Sequence, residues 1–430
     1  MAKDLAKSLN RTHWLDSGAI QLPLSIVVGV LAPPILLFLS KIQKLAVAPA
    51  TNTITGSVVA ATLSWYCIEQ LRYFAKARRL SYVIPVNITT FGLCFAGLMM
   101  LRLPYSNVLG VAIFASTTAF HYFVASINRR NSVANWIVPG GQVDEAREGG
   151  GEFFTLTQER LRALIVRGDR RGAIVADLHH SMSPEWEELL AEAAITGIPV
   201  YHFRQIWELQ TGQVRIDHLR ENDLGSLIPN LGYMSAKRAI YVVSSIVPLP
   251  LVALITAIFT IAIKLDSPGP VFYRQTRIGY RGREFVMFKL RSMTEAGAGI
   301  AAGTDHSELI RHDGTRVTRV GRFIRRYRID ELPQVLNILL GDMSWIGPRP
   351  EAESHSRLYQ VEIPFYRYRH IVRPGLTGWA QVNQGHVSEV DEVSAKLRYD
   401  FYYVRNISMW LDLLIVLKTV RIILGGFGAR

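Results

Sequence analysis

The sequence predicts a membrane protein of mixed α and α/β class. It divides into a four-helix transmembrane bundle, a Rossmann-like cytosolic domain and an α-rich third domain holding a re-entrant membrane helix. Three observations lead there. Four long apolar segments open the chain, strands and helices alternate in its middle, and a proline-broken apolar stretch begins its last part. The expected domains are residues 1–131, 132–233 and 234–430.

Of the 430 residues, 49% are apolar, and the formal net charge is +13. That combination suits an anionic membrane surface or nucleic acid. The basic residues cluster beside acids and apolar segments rather than on one reading helix, which argues against nucleic acid. Cys67 and Cys94 both lie in apolar stretches and offer neither a disulfide framework nor a metal cluster. The opening MAKDLAKSLNRTHWLD is polar and lacks a signal-peptide pattern, so the first apolar segment is expected to remain as a membrane helix.

The four segments are residues 19–40, 45–68, 80–101 and 103–127, none containing Asp, Glu, Lys or Arg. Each reaches the roughly 20 residues a helix needs to cross a bilayer. The second is diluted by Thr51, Asn52, Thr53 and Thr55, and Pro33-Pro34 is expected to kink the first. Lys3, Lys7 and Arg11 precede them, Arg72, Lys76, Arg78 and Arg79 fill the second loop, and Arg129 and Arg130 follow the fourth. The first loop has only Lys41 and Lys44, and the third only Arg102. This asymmetry places both the N-terminus and everything after residue 127 in the cytoplasm.

From about residue 135 to 233 the composition is that of a soluble domain. WIVPGG reads as a strand ending in a glycine turn, and GAIVAD and IPVYHF as further strands. Ser183-Pro184, followed by Glu185, Glu187 and Glu188, starts a helix. The alternation implies a small parallel α/β unit. Gly140-Gly141 is no dinucleotide fingerprint, and His179, His180 and His202 match no standard metal spacing. A regulatory or packing role is the preferred reading.

Lys237-Arg238 precedes the uncharged stretch 239–263, which ends at Lys264 and holds Pro248 and Pro250. Two prolines break a helix, and basic flanks at both ends suit a return to one anionic leaflet. A re-entrant hairpin over 237–264 is therefore expected; a kinked full span is the alternative. Near the C-terminus, ISMWLDLLIVLKTVRIILGG carries Asp412, Lys418 and Arg421 among apolar residues. It reads as an interfacial amphipathic helix, with a buried amphipathic core helix as the other reading.

The most informative segment is TRVGRFIRRYRIDELPQVLNILLGDMSWIGPRPE, residues 318–351. Arg322, Arg325, Arg326 and Arg328 precede the acids Asp330-Glu331. Leu332, Val335, Leu336, Leu339 and Leu340 then read as one apolar helical face, with Asp330 at or near the N-cap and Gly341 ending the helix. For an arbitrary Asp-Glu before a helix, cap and first-turn acid would suffice. Here, a carboxylate beside arginines is expected to stay ionised and serve as a nucleophile. Two adjacent carboxylates suit Mg²⁺, and arginines, Arg349 included, neutralise phosphate.

From Lys237 onward the chain resembles the bacterial sugar transferase family, the monotopic polyprenyl-phosphate phosphoglycosyl transferases. The resemblance rests on KR, SPGPVFYRQTRIGYRG, FKLRSM, the long segment above, RPGLTGWAQVN and YDFYYVRN, in that order. The preceding spans and α/β domain resemble its long subclass. The resemblance implies an inner-membrane enzyme, its active site on the cytoplasmic face, moving a sugar-1-phosphate from a UDP-sugar to undecaprenyl phosphate. It implies Asp330 as nucleophile, Glu331 as Mg²⁺ ligand or acceptor-orienting acid, Arg325 and Arg349 as phosphate binders, and Lys289, Arg291 and Arg277 in the donor site. Tyr241 stands where the family usually has an aspartate, and Pro248 and Pro250 precede the family's usual break. The rival reading is a non-catalytic scaffold for polysaccharide assembly. The soluble domain is also a candidate for pairing two subunits as a homodimer.

Overall fold

The computed structural model describes residues 18–39, 46–71, 74, 79–128, 135–149, 153–167, 173–215, 231–294, 317–384 and 390–425. The chain forms two compact units, Met1–Gln213 and Val214–Arg430. Lys3, Lys7, Arg11, Lys41, Lys44, Arg72, Lys76, Arg78, Arg129 and Arg130, which carry the expected orientation, lie outside the described residues.

The first unit opens with α1, which runs from Gly18–Leu24 through a π-helical stretch, Ser25–Leu31, to Ala32–Leu39. Helices α2 (Val47–Leu71), α3 (Arg79–Met100) and α4 (Asn107–Asn128) pack with it. Small and polar side chains face inward: Ala60, Ala61, Ser57, Ser64 and Thr53 of α2 are all fully buried. Gly29 lets α1 meet α4 closely, since a Cβ there would lie 2.7 Å from Thr117 Oγ1. Leu36, Phe38, Leu93, Met100, Val111 and Phe123 point outward. Apolar outside and small inside is how helices associate in lipid.

Among the described residues, four helices are long and apolar enough to cross a membrane: Ile20–Leu39, Tyr82–Met100, Asn107–Ile127 and Leu249–Asp266. Helix α2 is the span the sequence reading found most dilute, and it is not among them. Its polar residues serve the bundle interior, where Ser64 bonds Thr90 and Thr53 donates to the Pro49 carbonyl at 2.7 Å. This chain is a membrane protein.

The remainder of this unit is a parallel sheet flanked by helices. Its elements are β1 (Asn135–Ile137), α5 (Glu145–Glu148), β2 (Phe153–Thr155), α6 (Gln158–Arg167), β3 (Ala173–Ala176), α7 (Pro184–Ile195), β4 (Val200–His202) and α8 (Phe203–Thr211). The strand order is β2-β1-β3-β4, all parallel. One face buries Leu161, Ile165, Leu189 and Leu190 of α6 and α7, and the other Ala146, Phe203 and Ile206 of α5 and α8. Strand β3 is buried throughout, as an apolar central parallel strand should be.

The second unit begins with α9 (Leu231–Ile246) and α10 (Leu249–Asp266), broken at Val247-Pro248 where Pro248 cannot continue the hydrogen-bond ladder. An antiparallel hairpin follows, β5 (Phe272–Ile278) and β6 (Glu284–Leu290). Helix α11 (Arg319–Arg326) leads through the 3-10 turn Ile329–Glu331 into α12 (Gln334–Leu340). Then come β7 (Ser344–Ile346), α13 (Glu353–Glu362), a 3-10 segment Tyr366–Ile371, β8 (Gly375–Thr377) parallel to β7, and α14 (Trp379–Asn383). Helices α15 (Val390–Arg405) and α16 (Met409–Gly425) close the unit.

Two sequence expectations are corrected here. The N-cap of α12 is Pro333, and Asp330 sits a turn earlier in the 3-10 segment, because Pro333 is the residue preorganised to start the helix. The buried face of α12 is Gln334, Val335, Asn337 and Ile338, whereas Leu336 and Leu340 are exposed. Asn337 wins an inward position by hydrogen bonding. Its Oδ1 accepts from the Phe288 amide at 3.1 Å, and its Nδ2 donates to the Val286 carbonyl at 2.7 Å. Helix α12 is thereby fixed to β6.

Asp412 also faces inward rather than merely interrupting an apolar helix. It pairs with Lys237 at 2.8 Å and accepts from Tyr233 at 2.7 Å and Tyr403 at 2.8 Å. Tyr241, the residue at the family's aspartate position, donates to the same carboxylate at 3.2 Å. The acid opposite Lys237 therefore comes from α16. Leu411, Leu414 and Ile415 are buried beside it, while Met409, Val420 and Ile423 are exposed.

Replacing Asn337 leaves buried strand-edge groups of β6 without partners. Asn337→Ala is expected to destabilise the second unit by about 2 kcal/mol, read as a lower midpoint in thermal unfolding.

Candidate active site

Three segments deliver charged side chains to one place. The 3-10 turn supplies Asp330 and Glu331, both buried at 8% and 7% exposure. Arg328 just before it has φ 57°, a left-handed conformation that costs a non-glycine residue energy and reverses the chain sharply out of α11. Strand β6 brings Lys289, and the turn Gly347-Pro348-Arg349-Pro350 after β7 brings Arg349. Glu331 Oε1 accepts from Arg349 at 3.0 Å and Lys289 at 3.2 Å, with Arg328 at 3.5 Å.

The two acids are driven apart. Burial pushes the Glu331 carboxyl up, but Arg349, Lys289 and Arg328 outweigh it and hold the pKa at about 2. Asp330 is raised to about 6, first by burial and then by the Glu331 charge, against the pull of Lys289, Arg328 and Arg325. Its buried Oδ1 has no hydrogen-bond partner among the described residues. Asp330 thus remains mainly ionised at neutral pH, as expected beside arginines, yet is more basic than an ordinary aspartate. One acid gathers cations, and the other keeps a more basic carboxylate.

The remaining expected site residues divide. Arg325 is exposed on the last turn of α11, near enough to stabilise the Asp330 carboxylate. Arg277 donates to the Pro350 carbonyl and, at 2.7 Å, to Gln275 Oε1. Burial lowers its pKa, as does Arg349, so it lies by the Gly347–Pro350 turn. Arg291 is used differently. Its guanidinium donates to the Ser267 carbonyl at 2.7 Å and the Pro268 carbonyl at 2.9 Å, bracing the exit from α10.

A second charged group behind Arg349 escaped the sequence reading. Arg369 donates to the Arg349 carbonyl at 2.8 Å and pairs with Asp400 at 2.8 Å. Lys396 pairs with Glu351, whose pKa falls to about 2 because Lys396 and Arg369 overcome burial. Lys396 and Asp400 stand four residues apart on α15, the spacing of one helix face, and that was the available signal.

An Mg²⁺ ion at the acid pair can be judged by the donors. Asp330 Oδ1 is an unpartnered, buried carboxylate oxygen, which suits a hard cation. The three cations at Glu331 all engage Oε1, leaving its other oxygen outside these pairs. The donor set therefore fits.

Residues 232–426 match the family described as bacterial sugar transferase. The chain is 41% identical over 387 residues to the UDP-N-acetylgalactosamine-undecaprenyl-phosphate N-acetylgalactosaminephosphotransferase of Aeromonas hydrophila, covering 89% of each. It is 46% identical over 169 residues to the UDP-glucose:undecaprenyl-phosphate glucose-1-phosphate transferase of Xanthomonas campestris pv. campestris, covering 38% of this chain and 34% of that one. The Escherichia coli (strain K12) protein of the same description is 40% identical over 188 residues, 43% of this chain and 39% of its own. The fold, the site and these likenesses together define a membrane-bound transferase. The chain belongs to the bacterial sugar transferase family, in its long form, since the likeness to the Aeromonas protein exceeds the length of either unit.

Removing the Glu331 charge leaves Lys289 and Arg349 without their counter-ion. Glu331→Gln is expected to cost about 3 kcal/mol of stability, measured by thermal unfolding of the purified protein, whereas Arg357→Ala, at an exposed ion pair, should leave the unfolding midpoint near that of the parent.

Proposed function

We propose that this enzyme transfers a sugar-1-phosphate from a UDP-sugar to undecaprenyl phosphate through a covalent aspartyl intermediate. The observation that carries this reading is the contrast within the acid pair. Asp330 has a raised pKa and an unpartnered oxygen, beside a Glu331 that is held ionised by three cations.

In the first step an Asp330 oxygen attacks the β-phosphorus of the donor. A phosphorus–oxygen bond forms to the carboxylate, the bond to the bridging oxygen breaks, and UMP leaves with that oxygen and its electron pair. In the second, a phosphate oxygen of the lipid attacks the same phosphorus. The aspartyl bond breaks, giving the polyprenyl-diphosphate-sugar and restoring Asp330. Burial strips water from the nucleophile, which raises its basicity. Arg325, Arg349 and Lys289 offset the charge of the diphosphate, and Arg277 supports the turn that presents Arg349. When bound, Mg²⁺ held by Asp330 and Glu331 supplies further neutralisation of phosphate charge.

The setting is the cytoplasmic face of the inner membrane, with α9 and α10 as a re-entrant hairpin. The attachments of their ends support this. Near the start, Arg238 donates to the Leu339 carbonyl of α12 at 2.8 Å; at the finish, Asp266 accepts from the Val320 amide of α11 at 3.0 Å. A straight helix between those residues would hold them about 42 Å apart. Helices α11 and α12 are instead joined by the short turn bearing Asp330. Both ends therefore return to one compact body, and exposed Leu251, Leu254, Ile258 and Ile261 between them are left for lipid. The soluble sheet reads as a Rossmann-like regulatory or packing domain that could pair two subunits. The product would begin an exopolysaccharide, capsule or O-antigen chain.

UDP-N-acetylgalactosamine and UDP-glucose are the donors to try first, given the names of the relatives. With undecaprenyl phosphate and Mg²⁺ present, the purified enzyme should release UMP from one of them. Asp330→Asn should reduce that release at least about 1,000-fold while leaving the unfolding midpoint near that of the parent protein. Normal turnover by the folded variant would refute the covalent route.

The pH profile follows from the same group. The ionised carboxylate attacks, so turnover should fall as pH drops through about 6, the pKa to which Asp330 is raised. Initial rates measured between mildly acidic and neutral pH will show this limb.

A further inference from the structure

At the carboxyl ends of β3 and β4, the fold gathers residues that the sequence keeps apart. Asp177 and His179 follow β3, and His202 ends β4. His179 Nδ1 lies 2.8 Å from His202 Nε2, which lies 3.3 Å from Asp177 Oδ1. The three donor atoms all fall within 4.8 Å of one another. Donors of a tetrahedral zinc-type ion, at bonds of about 2.0–2.1 Å, stand roughly 3.3 Å apart. The His202–Asp177 separation has that spacing, and the His179–His202 pair stands closer.

We propose that the α/β portion holds a divalent transition-metal ion of the zinc class on Asp177 Oδ1, His179 Nδ1 and His202 Nε2, with water as a fourth ligand. Two imidazoles and one carboxylate are a borderline-soft donor set, distinct from the all-oxygen pair at Asp330 and Glu331. The carboxylate is oriented in advance. Its Oδ2 accepts from the Gln142 amide at 3.1 Å and its Oδ1 from the His179 amide at 3.2 Å. Gly141 makes room for it: φ is +62°, and a Cβ there would sit 2.5 Å from Asp177 Oδ2. The Gly140-Gly141 turn after β1 thus serves the Asp177 carboxylate. Such outer contacts fix a ligand before the ion arrives.

One contact opposes the ion and must change. The His202 Nδ1 accepts from the Arg204 amide at 3.2 Å, which puts the ring proton on Nε2. Binding at Nε2 moves that proton to Nδ1 and gives up this long hydrogen bond for a coordinate bond. His180, the third histidine of the sequence cluster, lies instead beside Gly140 and is no ligand. The ion would clamp β3 to β4 and, through Asp177, to the turn after β1. Its three ligands belong to the first unit, and the acid pair Asp330-Glu331 to the second.

The test is titration of untagged full-length protein in detergent with Co²⁺, with millimolar Mg²⁺ present to occupy oxygen-donor sites. One equivalent should give the visible absorption bands of tetrahedral Co²⁺, displaced by Zn²⁺. His179 is exposed, so His179→Gln should fold; it should weaken binding by at least about 100-fold and abolish the bands. His180→Gln and Asp330→Asn should keep them. Absence of bands in the parent protein, their survival in His179→Gln, or their loss in His180→Gln or Asp330→Asn would each overturn the assignment.

Discussion

The second unit is organised around one buried carboxylate. Glu331 draws a lysine from β6, an arginine from the turn after β7 and the arginine just before its own turn. Burying these charges separately would be costly, and only their mutual pairing makes the arrangement tolerable. Pairing in turn requires the hairpin, the 3-10 turn and the Gly347–Pro350 turn to converge. Once they do, Asp330 is buried beside Glu331 with no cation bonded to Oδ1 among the described residues, and its raised basicity follows from that geometry. The charge that Glu331 holds is also one of the reasons that Asp330 is raised.

The buried polar groups around this centre act as braces. Arg369 bonds the backbone of Arg349 and is held by Asp400, so the reach of Arg349 toward Glu331 is set from α15. Asn337 secures α12 to β6, and Arg291 secures the end of α10 to the strand that carries Lys289. Lys237, Tyr403 and Asp412 join α9 to α16, and Tyr403 also donates to the Ile346 carbonyl at the end of β7. Replacing such pairs with apolar residues often costs little stability, so their worth lies in fixing one arrangement. Here that arrangement puts an acid pair beside the base of a broken apolar helix.

The bundle and the sheet of the first unit place polar groups in opposite ways. In the helical bundle of the first, serines, threonines and small residues face inward and large apolar ones outward. In its sheet portion, apolar residues fill both faces of the strands and charge is kept at the strand ends. The second unit combines these patterns. Its interior holds charged networks, while Leu336, Leu340, Phe323 and much of α10 present apolar surface outward.

The sequence by itself determined the apolar segments, the break at Pro248, the parallel strands around GAIVAD and IPVYHF and the prominence of Asp330-Glu331. These are local: each follows from a run of apolar residues, a missing amide hydrogen or a turn residue. It also grouped Arg349 with the acids through the arginines of one segment, and Lys289 only through family resemblance. Tertiary structure alone decided that Glu331 takes the cations and that Asp330 Oδ1 is left without a partner among the described residues. Two adjacent carboxylates look alike in sequence, and their pKa values depend on which direction each side chain takes into a buried pocket. It decided likewise that Arg291 braces a loop, that Asp412 answers Lys237, and that His179 and His202 meet Asp177. Lys237 and Asp412, and His202 and Asp177, are distant in the chain, and their spacing is set by helix packing and strand order, which no periodicity records.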